Sequence, residues 1–144
     1  MTMILNNVCL QAGNKCLVDH LEMTVEPRQC WFVYGRNGVG KTTLLKTMAG
    51  LQKPDSGDIV LDDLVLLEWQ ARALARKRAY LPQVQGDTFG FTVMETVLAA
   101  RFPYQTGYLG DSVDDIGKAV SALERLEVFH LADRDIRTLS GGER

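Results

Sequence analysis

Two runs near the start of the chain, residues 4–10 and 16–25, carry the apolar content and spacing of strands. The second has an exposed Asp19–His20 pair near its middle. Glu26–Pro27–Arg28–Gln29 is a turn by composition. Residues 30–34, Cys–Trp–Phe–Val–Tyr, run apolar without alternation, the pattern of a strand covered on both faces of a parallel sheet. Trp31 and Tyr34 are accordingly expected in the core. A glycine-rich stretch follows at once. Residues 41–51 then have helical spacing, with Leu44, Leu45 and Met48 on one face and Gly50 near the end.

Past a turn at 53–57, a short strand is predicted at 58–61, a polar and alanine-rich helix at 69–77, and another strand at 78–82. From Gln83 the character changes. Residues 84–91 have glycines and no period, so they read as a loop. Thr92–Val93–Met94–Glu95 is a capping box opening a helix through Arg101. Residues 102–110 form a linker rich in aromatics and glycine. A further helix is predicted over 112–126, with Val113, Ile116, Val120 and Leu123 as its apolar stripe. Strand-rich and helical halves suggest two lobes, 1–85 and 86–144, meeting near Gln83.

Composition narrows the class. With 144 residues, 46% hydrophobic and 24% charged, the chain can bury a core of ordinary size. A net charge of −2 offers no broad basic field, so no nucleic-acid partner is expected and any anion site must be local. No apolar run is long enough to span a bilayer, and the first residues lack a secretory pattern, which points to the cytoplasm. Cys9, Cys16 and Cys30 form no C-x-x-C pair and read as small apolar residues in or near strands. His20 and His130 read as structural or solvated.

The chemistry is concentrated in Gly35–Arg36–Asn37–Gly38–Val39–Gly40–Lys41–Thr42, a G-x-x-x-x-G-K-T sequence followed by Thr43. Glycines allow a backbone to wrap an anion closely in torsions a Cβ obstructs. Successive N–H groups can then point inward, joined by the positive end of the helix that begins near Lys41. Lys41 can reach the β- and γ-phosphates of a nucleoside triphosphate, and the Thr42 hydroxyl can enter a Mg2+ shell. A second glycine turn, Leu139–Ser140–Gly141–Gly142–Glu143, lies near the chain's end. Its serine hydroxyl and glycine N–H groups also suit phosphate.

These two motifs in this order resemble the ATP-binding cassette (ABC) ATPases, whose signature is LSGGE; Gln83 in Tyr80–Leu81–Pro82–Gln83 matches the glutamine between that family's core and helical subdomain. The resemblance implies an α/β fold: a partial P-loop NTPase core with an N-terminal antiparallel β-subdomain and a helical subdomain. It implies ATP and Mg2+ as cofactors, held by 35–43. Gln83 would contact the metal or the attacking water and act catalytically. Ser140, Gly141 and Gly142 would face the γ-phosphate bound by a second ATPase subunit in a head-to-tail dimer. Transmembrane permease subunits would be the other partners, one docking near 83–91, with the ATPase peripheral on the inner face of the membrane.

Residues 97–104 and the acidic helix start at Asp111 look like importer ATPases for siderophores, haem or cobalamin; a molybdate-type importer or a cytochrome-assembly component would share those features. Departures matter too. No Phe, Tyr or Trp occurs between Met1 and Arg28, where this family stacks adenine, and Leu10–Ala12 occupy that neighbourhood. Such stacking is worth about 1–3 kcal/mol. The family's second metal-binding strand, catalytic glutamate and switch histidine follow the signature and would lie beyond Arg144. The 144 residues alone are therefore expected to bind ATP without turnover, and to be poorly stable with 30–34 uncovered. A non-hydrolysing fragment and a soluble non-transport ABC protein are the alternative readings. The repair type is disfavoured because 83–139 holds no sustained heptads.

Overall fold

The computed structural model describes residues 1–83, 90–105 and 110–143. Two compact units divide the chain, Met1–Tyr80 and Leu81–Arg144.

The first unit is built on an antiparallel sheet of four strands in the order β2-β1-β3-β4. β1 is Met3–Ala12, β2 Lys15–Val25, β3 Ser56–Leu61 and β4 Leu64–Val65. Leu5, Val8, Leu10, Ile59 and Leu61 point from these strands into the core with Leu66 and Leu74. Burying each such side chain is worth about 1.5–3 kcal/mol. Leu17, Val18, Leu21 and Met23 pack against that core from β2. Asp62 and Asp63, both at positive φ (46° and 67°), close the two-residue turn between β3 and β4, as the right-handed strand twist requires.

β1 and β2 do not run in simple alternation. Leu5 pairs with Met23, Val8 with Leu21, and Leu10 with Val18. Asn6 and Asn7 thus oppose Glu22 alone, while Cys9 alone opposes Asp19 and His20. Two successive bulges, one on each strand, cancel in register. Asn7 (φ 52°) and His20 (φ 45°) absorb them in left-handed backbone, a region where Asn and His are enriched among non-glycine residues.

Helix α1, Lys41–Met48, packs Leu44 and Met48 on the sheet. Leu45, expected on the same face, is largely exposed. Thr47 is fully buried and donates its hydroxyl to Thr43 O at 2.9 Å, which satisfies the one polar group on that face. Helix α2 is shorter than predicted, Ala71–Ala75.

Two predicted strands are absent. Residues 30–34 pair with no strand among the described residues, and Phe32 and Tyr34 are 88% and 100% exposed. Trp31 is exposed as well, so neither it nor Tyr34 belongs to the core. An apolar run becomes a buried strand only when neighbours supply its ladder bonds. Residues 78–82 also form no strand, Leu81 is exposed, and Pro82 has no N–H to donate.

In the second unit α3 is Val93–Ala99 and α4 is Val113–Arg125. Thr92 accepts from the Glu95 N–H while Glu95 accepts from the Thr92 N–H, the capping box predicted from sequence. Ser112 and Asp115 form a second box at α4. The core is Val93, Leu123, Leu131, Ala132 and Ile136. The predicted stripe of α4 holds in part: Leu123 is buried and Val120 half-buried, whereas Val113 is 88% exposed and Ile116 exposed, and Asp115 and Ala119 are buried instead. On that face Asp115 accepts from Arg101 Nε at 2.8 Å. An open apolar groove of about 370 Å³ lies between α3, α4 and the segment ending at Gly142.

Candidate functional site

Residues 35–43 gather as one loop and helix start in the first unit. Gly38 (φ 74°) and Gly40 (φ 109°) take left-handed torsions. Gly40 is the N-cap of α1 and offers no side chain to cap it, so the first-turn N–H groups have no side-chain partner there. A Cβ on Gly40 would lie 2.9 Å from Leu17 Cβ. Both the torsion and the closeness to β2 demand glycine at this point.

Lys41 turns back across the loop. Its Nζ donates to Gly35 O at 2.7 Å and to Arg36 O at 2.9 Å. Lys15, from the start of β2, donates to Gly38 O at 3.1 Å. Two cations therefore brace the loop through its carbonyls. The Thr42 hydroxyl is on an exposed residue, as are Arg36, Asn37 and Val39. An anion's charge would be met by backbone N–H groups, a helix N-terminus and one movable ammonium.

Near the end of β1, Leu10 is fully buried in the core and cannot present itself to a base. Gln11 and Ala12 are exposed, and the Gln11 N–H is held by Asp55 at 2.7 Å.

The other predicted residues belong to the second unit. Gln83 is exposed. The loop expected after it falls, over 84–89, outside the described residues, as do 106–109 of the predicted linker. Ser140–Gly142 form an exposed turn. The Ser140 N–H donates to Glu143 Oε2 at 2.8 Å and the Glu143 N–H to Ser140 O at 3.1 Å. Hydrogen bonds from the Ser140 hydroxyl first and its backbone N–H next hold the Glu143 carboxyl below its ordinary value, with smaller help from Arg134. Nothing would touch a Cβ on Gly141 or Gly142, so this face of the turn is open.

Residues 18–144 match the family described as ABC transporter. The chain belongs to the ABC transporter family.

Within this ABC family it is 36% identical over its whole length to a hemin import ATP-binding protein of Myxococcus xanthus, of which it covers 53%. A petrobactin import ATP-binding protein of Bacillus anthracis is 36% identical over 94% of the chain and 50% of the relative. The chain spans about half the length of these curated relatives. A solved structure described as a metal-chelate type ABC transporter in an inward-facing conformation superposes with a TM-score of 0.78 at 25% identity, over 99% of this chain and 51% of that one. The fold is the α/β, P-loop ATPase fold that the sequence motifs imply.

Sequence reasoning passed over one cluster. Cys9, Asp19 and His20 place a sulfur, a carboxylate oxygen and a ring nitrogen within 4.8 Å of one another. Their sequence spacing gives no sign of it, because the bulge that joins them is a property of strand pairing. The only available signal was the polar Asp19–His20 pair interrupting an apolar strand.

Proposed function

We propose that the protein is the ATP-binding subunit of an ABC importer, coupling ATP binding and hydrolysis to passage of a metal chelate such as a siderophore, haem or cobalamin. The observation that carries this reading is the loop at 35–42, ordered between β2 and α1 with its lysine folded across it. The importer assignment draws on the relatives named for hemin and petrobactin import.

The chain's residues fit the nucleotide. Gly38 and Gly40 leave a space that side chains would fill or distort, Lys41 exchanges its carbonyl partners for phosphate oxygens, and Thr43 follows in the first turn of α1. Thr42 and Gln83 offer the hard oxygen donors that Mg2+ prefers. The ion neutralises phosphate charge when bound. Gln83 orients water or metal. Ser140, Gly141 and Gly142 present a hydroxyl and N–H groups to the γ-phosphate of a second subunit, and permease subunits receive the change in nucleotide state.

On this reading residues 1–85 are the nucleotide-binding lobe and 86–144 the helical subdomain ending at the signature; the division of the chain at Tyr80 and Leu81 supports it. No helix of the described residues is long and apolar enough to cross a membrane, in keeping with a peripheral subunit on the cytoplasmic face.

Titration of the chain with Mg–ATP tests the proposal. Saturable binding that Lys41→Ala weakens roughly 10- to 100-fold is expected. A folded chain that leaves Mg–ATP unbound sinks it.

A further inference from the structure

We propose that the bulge between β1 and β2 is a binding site for a divalent transition-metal ion of the Zn2+ class, with Cys9, Asp19 and His20 as its ligands. The site is separate from the phosphate loop and does not depend on the nucleotide reading.

The argument begins with register. In a regular strand Asp19 and His20 would point to opposite faces of the sheet. Here both oppose the single residue Cys9, between the pairs Val8–Leu21 and Leu10–Val18. Val18 and Leu21 pack on the core, and the two residues between them are both exposed on the opposite side. The left-handed backbone of His20, φ 45°, makes this possible. A β-branched residue would resist that torsion, and a bulge of this kind re-aims side chains. Left-handed torsion is unfavourable for a non-glycine residue, and here it sets three unlike donor groups together.

The donors suit one class of ion. A thiolate, an imidazole nitrogen and a carboxylate are the ligand types of Zn2+ and its neighbours in the first transition row, while Mg2+ and Ca2+ prefer oxygen alone. Ligands about 2.0–2.3 Å from one ion lie roughly 3.3–3.6 Å apart at tetrahedral angles. In the structure the three atoms fall within 4.8 Å, and His20 Nδ1 sits 2.6 Å from Asp19 Oδ1. Small side-chain rotations about a fixed backbone reach the required spacing. The backbone N–H of His20 already donates to Cys9 Sγ at 3.3 Å, a bond that steadies a metal-bound sulfur. The Cys9 S–H now points to Asn7 O at 3.8 Å.

On binding, the Cys9 sulfur gives its proton to solvent and forms the bond to the metal. The imidazole binds through Nδ1 and keeps its proton on Nε2, and Asp19 turns its oxygen from the ring to the ion. Water completes a fourth position, since both Asp19 and His20 are open to solvent. No redox step is involved.

Co2+ alone, as a spectroscopic stand-in, is the probe. It is added to the full chain carrying Cys16→Ser and Cys30→Ser, so that Cys9 is the sole thiol. One Co2+ per chain with a sulfur-to-cobalt charge-transfer band is expected, displaced by Zn2+ and untouched by excess Mg2+. Cys9→Ser should abolish the band. His20→Asn, which keeps a residue tolerant of left-handed torsion, and Asp19→Asn should each weaken binding by more than the roughly 10–100-fold that loss of an outer partner costs. Zn2+ should raise the thermal midpoint of the parent and not of His20→Asn. A band that survives Cys9→Ser, cobalt bound without a band, or affinity unchanged in His20→Asn would each overturn the proposal. Because His20 is exposed, its variant keeps the test decisive even where Cys9→Ser unfolds.

Discussion

Lys41 Nζ lies 2.7 Å from the carbonyl oxygen of Gly35, across the loop the two residues bound. The lysine is thus stored against the loop's own backbone, and a phosphate must offer it better partners than two carbonyls. Lys41→Ala removes a charged hydrogen-bond donor worth about 1.5–3 kcal/mol, or roughly 10- to 100-fold in affinity. Mg–ATP titration of the folded variant measures this directly.

Gly38 and Gly40 should respond differently to alanine. Both sit at positive φ, which costs about 1–2 kcal/mol for a residue with a Cβ. At Gly38 nothing lies within 4 Å of the new methyl, so that cost is the whole effect. At Gly40 the methyl also meets Leu17 Cβ at 2.9 Å, against the sheet. Denaturant unfolding should find Gly40→Ala the less stable of the two, and Mg–ATP titration should find it the weaker binder.

The second unit carries a stability term that acid removes. Asp115, buried at 5% exposure, accepts from the Ser112 hydroxyl and from Arg101 Nε at 2.8 Å. These bonds, Ser112 first and Arg101 next, lower its carboxyl from the ordinary value of 3.8. A lowered folded value means that the stabilisation is complete above the ordinary carboxylate range and fades as pH falls through the folded value. Asp115→Asn should therefore be less stable than the parent at neutral pH, with the gap closing as the solution is acidified below about pH 4. Far-UV circular dichroism of urea unfolding at stepped pH reads the gap. A difference that is constant with pH would contradict this account.

Helix α4 supplies a contrast between pattern and packing. Val113→Ser should change stability by no more than about 0.5 kcal/mol, because the side chain is 88% exposed. Leu123→Ala should cost about 2–5 kcal/mol, because Leu123 is 2% exposed in the second core. Thermal or urea midpoints of the two variants decide the matter.

By itself the sequence determined the motifs and everything local. The loop at 35–42, the capping box at Thr92, the turn at Ser140–Glu143 and the first hairpin follow from torsional and hydrogen-bonding rules that act over a few residues. Those were enough to place the chain among ABC proteins. Tertiary structure alone decided which apolar runs are covered. Residues 30–34 have the pattern of a buried strand, and their exposure, which is expected for the 144 residues alone, follows because a strand's burial is supplied by neighbours that its own residues do not encode. It also decided which face of α4 turns inward, burying Asp115 and Ala119 beside Leu123 and leaving Val113 and Ile116 exposed. The meeting of Cys9 with Asp19 and His20 was likewise out of reach, because a bulge is fixed by the register between two strands and neither strand records it alone.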